Sequence, residues 1–286
     1  MFDGFTHKQI KTRETTINLV QGGDGDPVLL LHGYPGTHVC WHRLAPILAE
    51  RFTVVCADLR GFGDSAKPPG DPEHFAYSKR VMAQDQIEVM QSLGFNKFAV
   101  VGHDRGARVA HRMALDHAKN VIRLALLDII PTSIAFANVD KDMATSAFNW
   151  FFSIQPDNLP ERLIGAEPEF YLHWILDHWA GKKDTLATAA VAEYQRCFDV
   201  ATIRATNEEF RAAATIDLVH DELDKKRKIS CPTLVLWSAT SWTKFDVLGV
   251  WRSYADDVQG IAFDCGHFLP EEDPEQTNAE LLRFLA

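Results

Sequence analysis

Val100-Val101-Gly102-His103-Asp104-Arg105-Gly106-Ala107-Arg108 decides how the rest of the chain is read. An apolar run that begins upstream at Phe98-Ala99 meets small residues on both sides of a single acid. A helix-like segment, 109–117, follows. The pattern predicts strand, very tight turn and helix, with Asp104 at the apex. Gly102, Gly106 and Ala107 suit such a turn, which crowds its own backbone and leaves no room for larger side chains. An aspartate could stand there merely as a helix N-cap, so the neighbouring segments must decide its role.

Aspartate at the apex narrows the chemistry. A serine alkoxide attacking a saturated carbon would leave an ether, which water does not readily cleave. A carboxylate attacking the same carbon leaves an alkyl ester, which an activated water hydrolyses to restore the acid. Displacement at a carbon–halogen bond or an epoxide therefore suits Asp104 better than ordinary ester cleavage.

Working outward, residues 13–21 alternate weakly as a first strand and end in the turn cluster Gly22-Gly23-Asp24-Gly25-Asp26-Pro27. Val28 to Leu31 reads as a buried strand, running into the loop His32-Gly33-Tyr34-Pro35-Gly36. A helix is expected over 44–51 and a buried strand over 52–57. The glycine-rich turn Asp58-Leu59-Arg60-Gly61-Phe62-Gly63-Asp64-Ser65 lacks the spacing and context of a dinucleotide loop. A helix is predicted over 77–93, closed by Gly94, and a further buried strand over 121–127 ends at Asp128. Strands alternating with helices imply a mostly parallel sheet with ligands beyond the strands' carboxyl ends. Asp104, Asp128 and the Gly33-Tyr34 loop converge there. From Pro131 to about Asp221 helix formers and aromatics replace the strand pattern, which resumes at 233–237 and 260–263 before a last helix over 275–285. The division expected is a core of 1–130 and 222–286 and an inserted helical cap of 131–221.

The 286 residues, 46% hydrophobic and 24% charged, suit a globular protein with a substantial core. A net charge of −10 argues against nucleic-acid binding. The 5 cysteines show no CxxC spacing and read as reduced, buried hydrophobes rather than disulfides or metal ligands. Residues 1–12 lack an apolar signal region and no run approaches a membrane span, so a cytoplasmic location is expected.

Together these segments resemble the α/β-hydrolase superfamily, and within it the fluoroacetate (haloacetate) dehalogenases. The resemblance runs along nearly the whole chain, on His32-Gly33-Tyr34-Pro35, the 58–65 turn, Gly102-His103-Asp104-Arg105-Gly106, Asp128 and Cys265-Gly266-His267-Phe268. The first two and the last are shared with epoxide hydrolases; His103 to Arg108 is the more specific stretch. The resemblance implies Asp104 as nucleophile, His267 as base, Asp128 as the acid orienting it, and Arg105 with Arg108 clamping a substrate carboxylate. It also implies a homodimer and no cofactor or metal.

The residues read on their own agree. Arg105 and Arg108 sit at the unfavourable end of a helix dipole. Their spacing of three places them on one face, where two cations suit a small carboxylate and keep Asp104 ionised. Either arginine could instead pair with a carboxylate of the protein, and Arg105, directly after Asp104, is the stronger candidate for substrate. The segment after 237 offers no acid until Asp246, which leaves Asp128 the better third member and Asp246 the runner-up. Backbone N–H groups of Tyr34 and Arg105 would hold an oxyanion. One departure stands out. The family's halide pocket uses a histidine, an adjacent tryptophan and a tyrosine, whereas this chain has Asn149-Trp150 and Phe210. Weakened defluorination, with hydrolysis of other haloacids retained, is the expectation. Two alternatives remain: an epoxide hydrolase, which would need acids such as Tyr171 and Tyr194, and a non-catalytic binding protein of the same fold.

Overall fold

The computed structural model describes residues 1–286. Its frame is an 8-stranded sheet in the order β1-β2-β4-β3-β5-β6-β7-β8. The strands are β1 (Thr6–Lys11), β2 (Thr16–Gly22), β3 (Asp26–Leu31), β4 (Phe52–Ala57), β5 (Phe98–His103), β6 (Val121–Leu127), β7 (Thr233–Ser238) and β8 (Val258–Phe263). β1 and β2 pair antiparallel at one edge, and every pairing from β4 to β8 is parallel. Every residue of β4 and β5 is buried, the expected pattern for central strands covered on both faces.

Helices α1 (Ala45–Leu48), α2 (Lys79–Ser92) and α3 (Arg105–Asp116) connect the first strands. Between β6 and β7 lie only helices. They are α4 (Thr132–Ala137), α5 (Lys141–Ser146), α6 (Phe148–Ser153), α7 (Leu159–Ala166), α8 (Pro168–Trp179), α9 (Thr188–Cys197), α10 (Val200–Ala214) and α11 (Ile216–Asp224). α12 (Val247–Arg252), α13 (Leu269–Glu272) and α14 (Pro274–Leu285) complete the chain. One core of 68 buried residues spans the sheet and the inserted helices together. None of the helices is long and apolar enough to cross a membrane.

Three expectations need correction. The strand read as first, 13–21, is β2; β1 precedes it and was hidden because Thr6–Lys11 is a mostly exposed edge strand with little apolar pattern. The helix expected over 44–51 holds only over Ala45–Leu48, after a single 3-10 turn at His38–Trp41. The helix after the elbow begins at Arg105 rather than Val109, because the turn before it is a single residue. The cysteines are all free, with Cys40, Cys56, Cys197 and Cys265 buried and Cys231 partly so.

The order of the sheet explains where function can sit. β4 is laid back between β2 and β3, and the chain then crosses over to place β5 on the other side of β3. At that reversal the loops after β3 and β5 diverge and open a crevice beyond the strand ends.

Candidate active site

The crevice is filled by the turn at Asp104. Its backbone takes φ 45° and ψ −114°, an unusual conformation for a residue with a side chain. The surrounding small residues permit it. A Cβ on Gly106 would lie 2.3 Å from the Leu31 carbonyl oxygen, and one on Gly102 would lie 2.5 Å from Ala107 Cα. Across the crevice, a Cβ on Gly33 would approach Asp104 Cβ to 2.5 Å. The loop after β3 therefore lies directly on the acid, and the Tyr34 N–H donates to Asp104 Oδ2 at 2.9 Å.

Asp128 leaves the end of β6, also at positive φ (54°). Its Oδ1 accepts the Ser238 N–H at 2.9 Å, and its Oδ2 accepts both the Ser241 hydroxyl at 2.9 Å and His267 Nδ1 at 2.6 Å. Since Asp128 is an acceptor there, Nδ1 carries the proton and Nε2 is left as the basic nitrogen. Nε2 has no protein partner. Asp246, the runner-up, caps the N-terminus of α12 through the Gly249 N–H and takes no part.

Electrostatics fit these roles. Burial alone would raise the Asp104 carboxyl, but the charge of His267 first, then those of Arg105 and Arg108, outweigh it and hold it below the usual range. Burial would lower His267; the hydrogen bond and charge of Asp128, with Asp104 behind, carry it above its ordinary value instead.

The two arginines are placed differently from what the sequence suggests. Arg105 Nε donates to both oxygens of Glu209 (2.9 and 2.7 Å), and its Nη2 lies 2.7 Å from Glu209 Oε2. Arg108 has no carboxylate partner; its Nη1 donates to the Ile130 carbonyl oxygen and the Thr132 hydroxyl. The arginine expected to be freer is thus the one anchored by a protein acid. Arg105 Nη1 and Arg108 Nε and Nη2 remain without protein partners. Burial first, and the like charge of Arg105 next, pull Arg108 down to about 10, so it stays cationic at neutral pH. The Trp150 ring packs on both, 4.6 Å from Arg108 Cζ and 5.7 Å from Arg105 Cζ.

Trp150 shares one cavity with Asp104, Asp128 and His267. Asn149 and Phe210 are buried outside that cavity's wall. Phe210 lies under Arg105 (4.4 Å from ring centroid to Cζ), and neither side-chain polar atom of Asn149 has a partner.

Several residues that build the site went unassigned in the sequence. Glu209 is fully buried on α10 and also pairs with Lys79, which in turn contacts Asp217 at 3.1 Å. Its stretch Glu208-Glu209-Phe210-Arg211 gives no hint which acid turns inward. His103 places Nε2 2.7 Å from the His267 carbonyl oxygen. That contact requires a proton on Nε2, and burial, followed by the nearby His267, drives its pKa to about 4, so the ring is neutral. Glu272 accepts N–H bonds from Gly181, Gly266 and Phe268, stitching the base-bearing loop to the end of α8. The 58–65 turn is structural: buried Asp58 accepts from the His38 N–H, Asn18 and the Asp64 N–H.

The family model described as the alpha/beta hydrolase fold matches residues 26–274. The chain belongs to this family. It is 42% identical to a fluoroacetate dehalogenase from Burkholderia sp, over 100% of this chain and 95% of that one. It is 31% identical to a soluble epoxide hydrolase from Corynebacterium sp. (strain C12), over 98% and 97% of the two chains. Among solved structures, an alpha/beta hydrolase from Nostoc sp PCC 7120 superposes with a TM-score of 0.99 at 57% identity, covering 100% of this chain and 99% of that one. This α/β-hydrolase is a hydrolase-type enzyme resembling fluoroacetate dehalogenases.

Proposed function

We propose that this α/β-hydrolase is a hydrolytic dehalogenase of small 2-haloacids. The observation that carries the reading is an aspartate at the elbow that shares a cavity with an Asp128-oriented histidine, with two buried guanidinium groups beside it. Arg105 and Arg108 hold the substrate carboxylate through the nitrogens that Glu209, Ile130 and Thr132 leave free. A carboxylate oxygen of Asp104 attacks carbon 2, the carbon–halogen bond breaks, and halide leaves with its electron pair while the carbon inverts. His267 Nε2 then takes a proton from water, whose oxygen adds to the Asp104 carboxyl carbon. The Tyr34 N–H, already on Oδ2, with the Arg105 N–H, supports the oxyanion. On its collapse the ester C–O bond breaks, and the alkoxide takes the proton of the added hydroxyl and leaves as the 2-hydroxyacid. Asp104 is restored as a carboxylate, and His267 gives its proton to solvent. Asp128 stabilises the imidazolium meanwhile. The reading carries with it a cofactor-free, cytoplasmic homodimer.

The epoxide-hydrolase alternative needs a phenol free to protonate the opening oxygen. Tyr194 instead donates to Glu271 at 2.9 Å, which leaves Tyr171 alone among the tyrosines of the inserted helices. A neutral epoxide would also leave Arg108 without a counter-charge.

Repeated turnover of chloroacetate in heavy-oxygen water is the direct test. Label is expected in the Asp104 side chain, read by peptide mass; a label-free Asp104 after many cycles would sink the proposal. Fluoride is the compact, strongly hydrated leaving group, and with Asn149 and Phe210 in place of the family's histidine and tyrosine the pocket offers fewer donors, the phenol above all. Each missing bond weakens stabilisation by roughly 1–3 kcal/mol. Halide electrodes are expected to show chloro- and bromoacetate hydrolysed faster than fluoroacetate, with Phe210→Tyr raising fluoride release roughly tenfold or more.

A further inference from the structure

The cavity over Asp104 is much larger than the substrate just proposed. It is a cleft of about 620 Å³ that opens to solvent, within the range that takes drug-sized ligands. A monohaloacetate needs no more than about 150 Å³ at about 30 Å³ for each non-hydrogen atom. Beyond the catalytic side chains the wall carries a cluster of aromatics, Trp150, Trp174, Trp179, Trp242 and Phe245, with Met143 beside them, set among polar residues such as Asn138, Ser146 and Thr240. These come from separate parts of the chain. Met143, Trp150, Trp174 and Trp179 lie on α5, α6 and α8, and Trp242 and Phe245 lie in the segment between β7 and α12. The one polar atom of Trp242 is engaged, its indole N–H donating to the Asp128 carbonyl oxygen at 3.1 Å. The Trp174 ring is stacked on His178 with centroids 3.7 Å apart.

Trp150 divides this chamber from the anion site. It contributes to the chamber wall and also packs on Arg108 and Arg105, neither of which reaches the wall. A carbon undergoing displacement at Asp104 therefore has its carboxylate directed to the guanidinium side and its halide directed away from Asp104. A further substituent on that carbon has the aromatic chamber available to it. Asp142 and Lys244, both well exposed and 3.5 Å apart, stand at the outer rim and bound the length of that substituent.

We infer that the chamber is a binding subsite for an apolar alkyl or aryl group on carbon 2 of the substrate acid, so that the preferred substrates are substituted 2-haloacids rather than haloacetate itself. The halide-release part of this inference rests on the dehalogenase reading; the affinity of the chamber for an apolar carboxylate does not. Because the chamber lies on one side of the reacting carbon, one enantiomer of a substituted substrate is expected to be strongly favoured.

Two measurements on the wild-type protein decide it. Calorimetric binding of acetate, hexanoate and phenylacetate, which carry no halide, is expected to tighten at least tenfold from the first to the other two, since each methylene buried is worth about fourfold. Halide release from chloroacetate, 2-chlorohexanoate and 2-chloro-2-phenylacetate is expected to show kcat/KM rising in the same order. Met143→Trp, which fills the chamber, is expected to reverse both trends. Hexanoate and phenylacetate binding no tighter than acetate would overturn the subsite, even if chloroacetate proved an excellent substrate. Tight phenylacetate binding with no halide from any haloacid would uphold the subsite and remove the dehalogenase reading.

Discussion

At the scale of the residue, the proposed base and the proposed anion clamp are held by different acids. His267 takes a proton only when neutral. With its pKa above the ordinary 6.5, kcat/KM is expected to climb as pH rises through a value higher than that. Asp128→Asn removes the partner that does most to raise it and leaves burial, which lowers it, opposed chiefly by Asp104. The acid limb of the profile should therefore move to lower pH, while kcat falls roughly 10³- to 10⁴-fold through loss of the correct tautomer. Glu209 acts on Arg105 in another way, holding the Nε edge of the guanidinium so that Nη1 stays clear. Glu209→Gln leaves Arg105 and Lys79 as under-compensated buried cations. Stability is expected to drop by about 3 kcal/mol in urea unfolding, with KM for the haloacid rising. Asp104, Asp128 and His267 could be read from the sequence because each follows a recognisable strand. Glu209 could not, since it sits on a helix with acids on both faces and its partners lie over a hundred positions away.

Elements carry the site through close approach more than through any single bond. α3 meets the end of β3 so tightly that Gly106 has no room for a methyl group. Gly106→Ala is expected to cost about 1–3 kcal/mol by overpacking, read as a lowered thermal midpoint, with activity lost as the elbow shifts. The loop with His267 is fixed on a second front, by Glu272 and by its own N–H donating to the Trp179 carbonyl oxygen at 2.9 Å. Glu272→Ala would free three N–H groups at once, and a loss in kcat larger than the change in KM is expected from steady-state kinetics. Buried strands such as β4 and β6 were legible to the residue, because continuous apolar runs have one reading between turn signals. β1 was not, because its side chains face water and the backbone pairing that makes it a strand leaves no mark on its composition.

At the scale of the whole molecule, the inserted helices are held over the sheet by ion pairs as well as by apolar packing. Arg112 on α3 reaches Asp221 (2.9 Å) and Asp224 (2.6 Å) of α11, and Arg80 on α2 reaches Asp224 at 2.9 Å. Arg112→Met would leave Asp221 without its partner while Arg80 and Arg227 still hold Asp224, and a loss of roughly 1–3 kcal/mol in global unfolding is expected. The alternation of strands with helices announced the core and the insertion, but nothing in the sequence said which charges would meet across them. The burial of the cysteines bears on how such an enzyme survives its own reagents. Haloacids alkylate thiolates, and a protein that handles them is exposed to slow poisoning. Here burial pushes Cys40 and Cys56 far up, Cys197 and Cys265 to about 12 and Cys231 to about 11. With almost no thiolate at neutral pH for such a reagent to find, the folded chain is expected to resist alkylation that modifies it promptly once unfolded, a difference read in the mass of the intact protein.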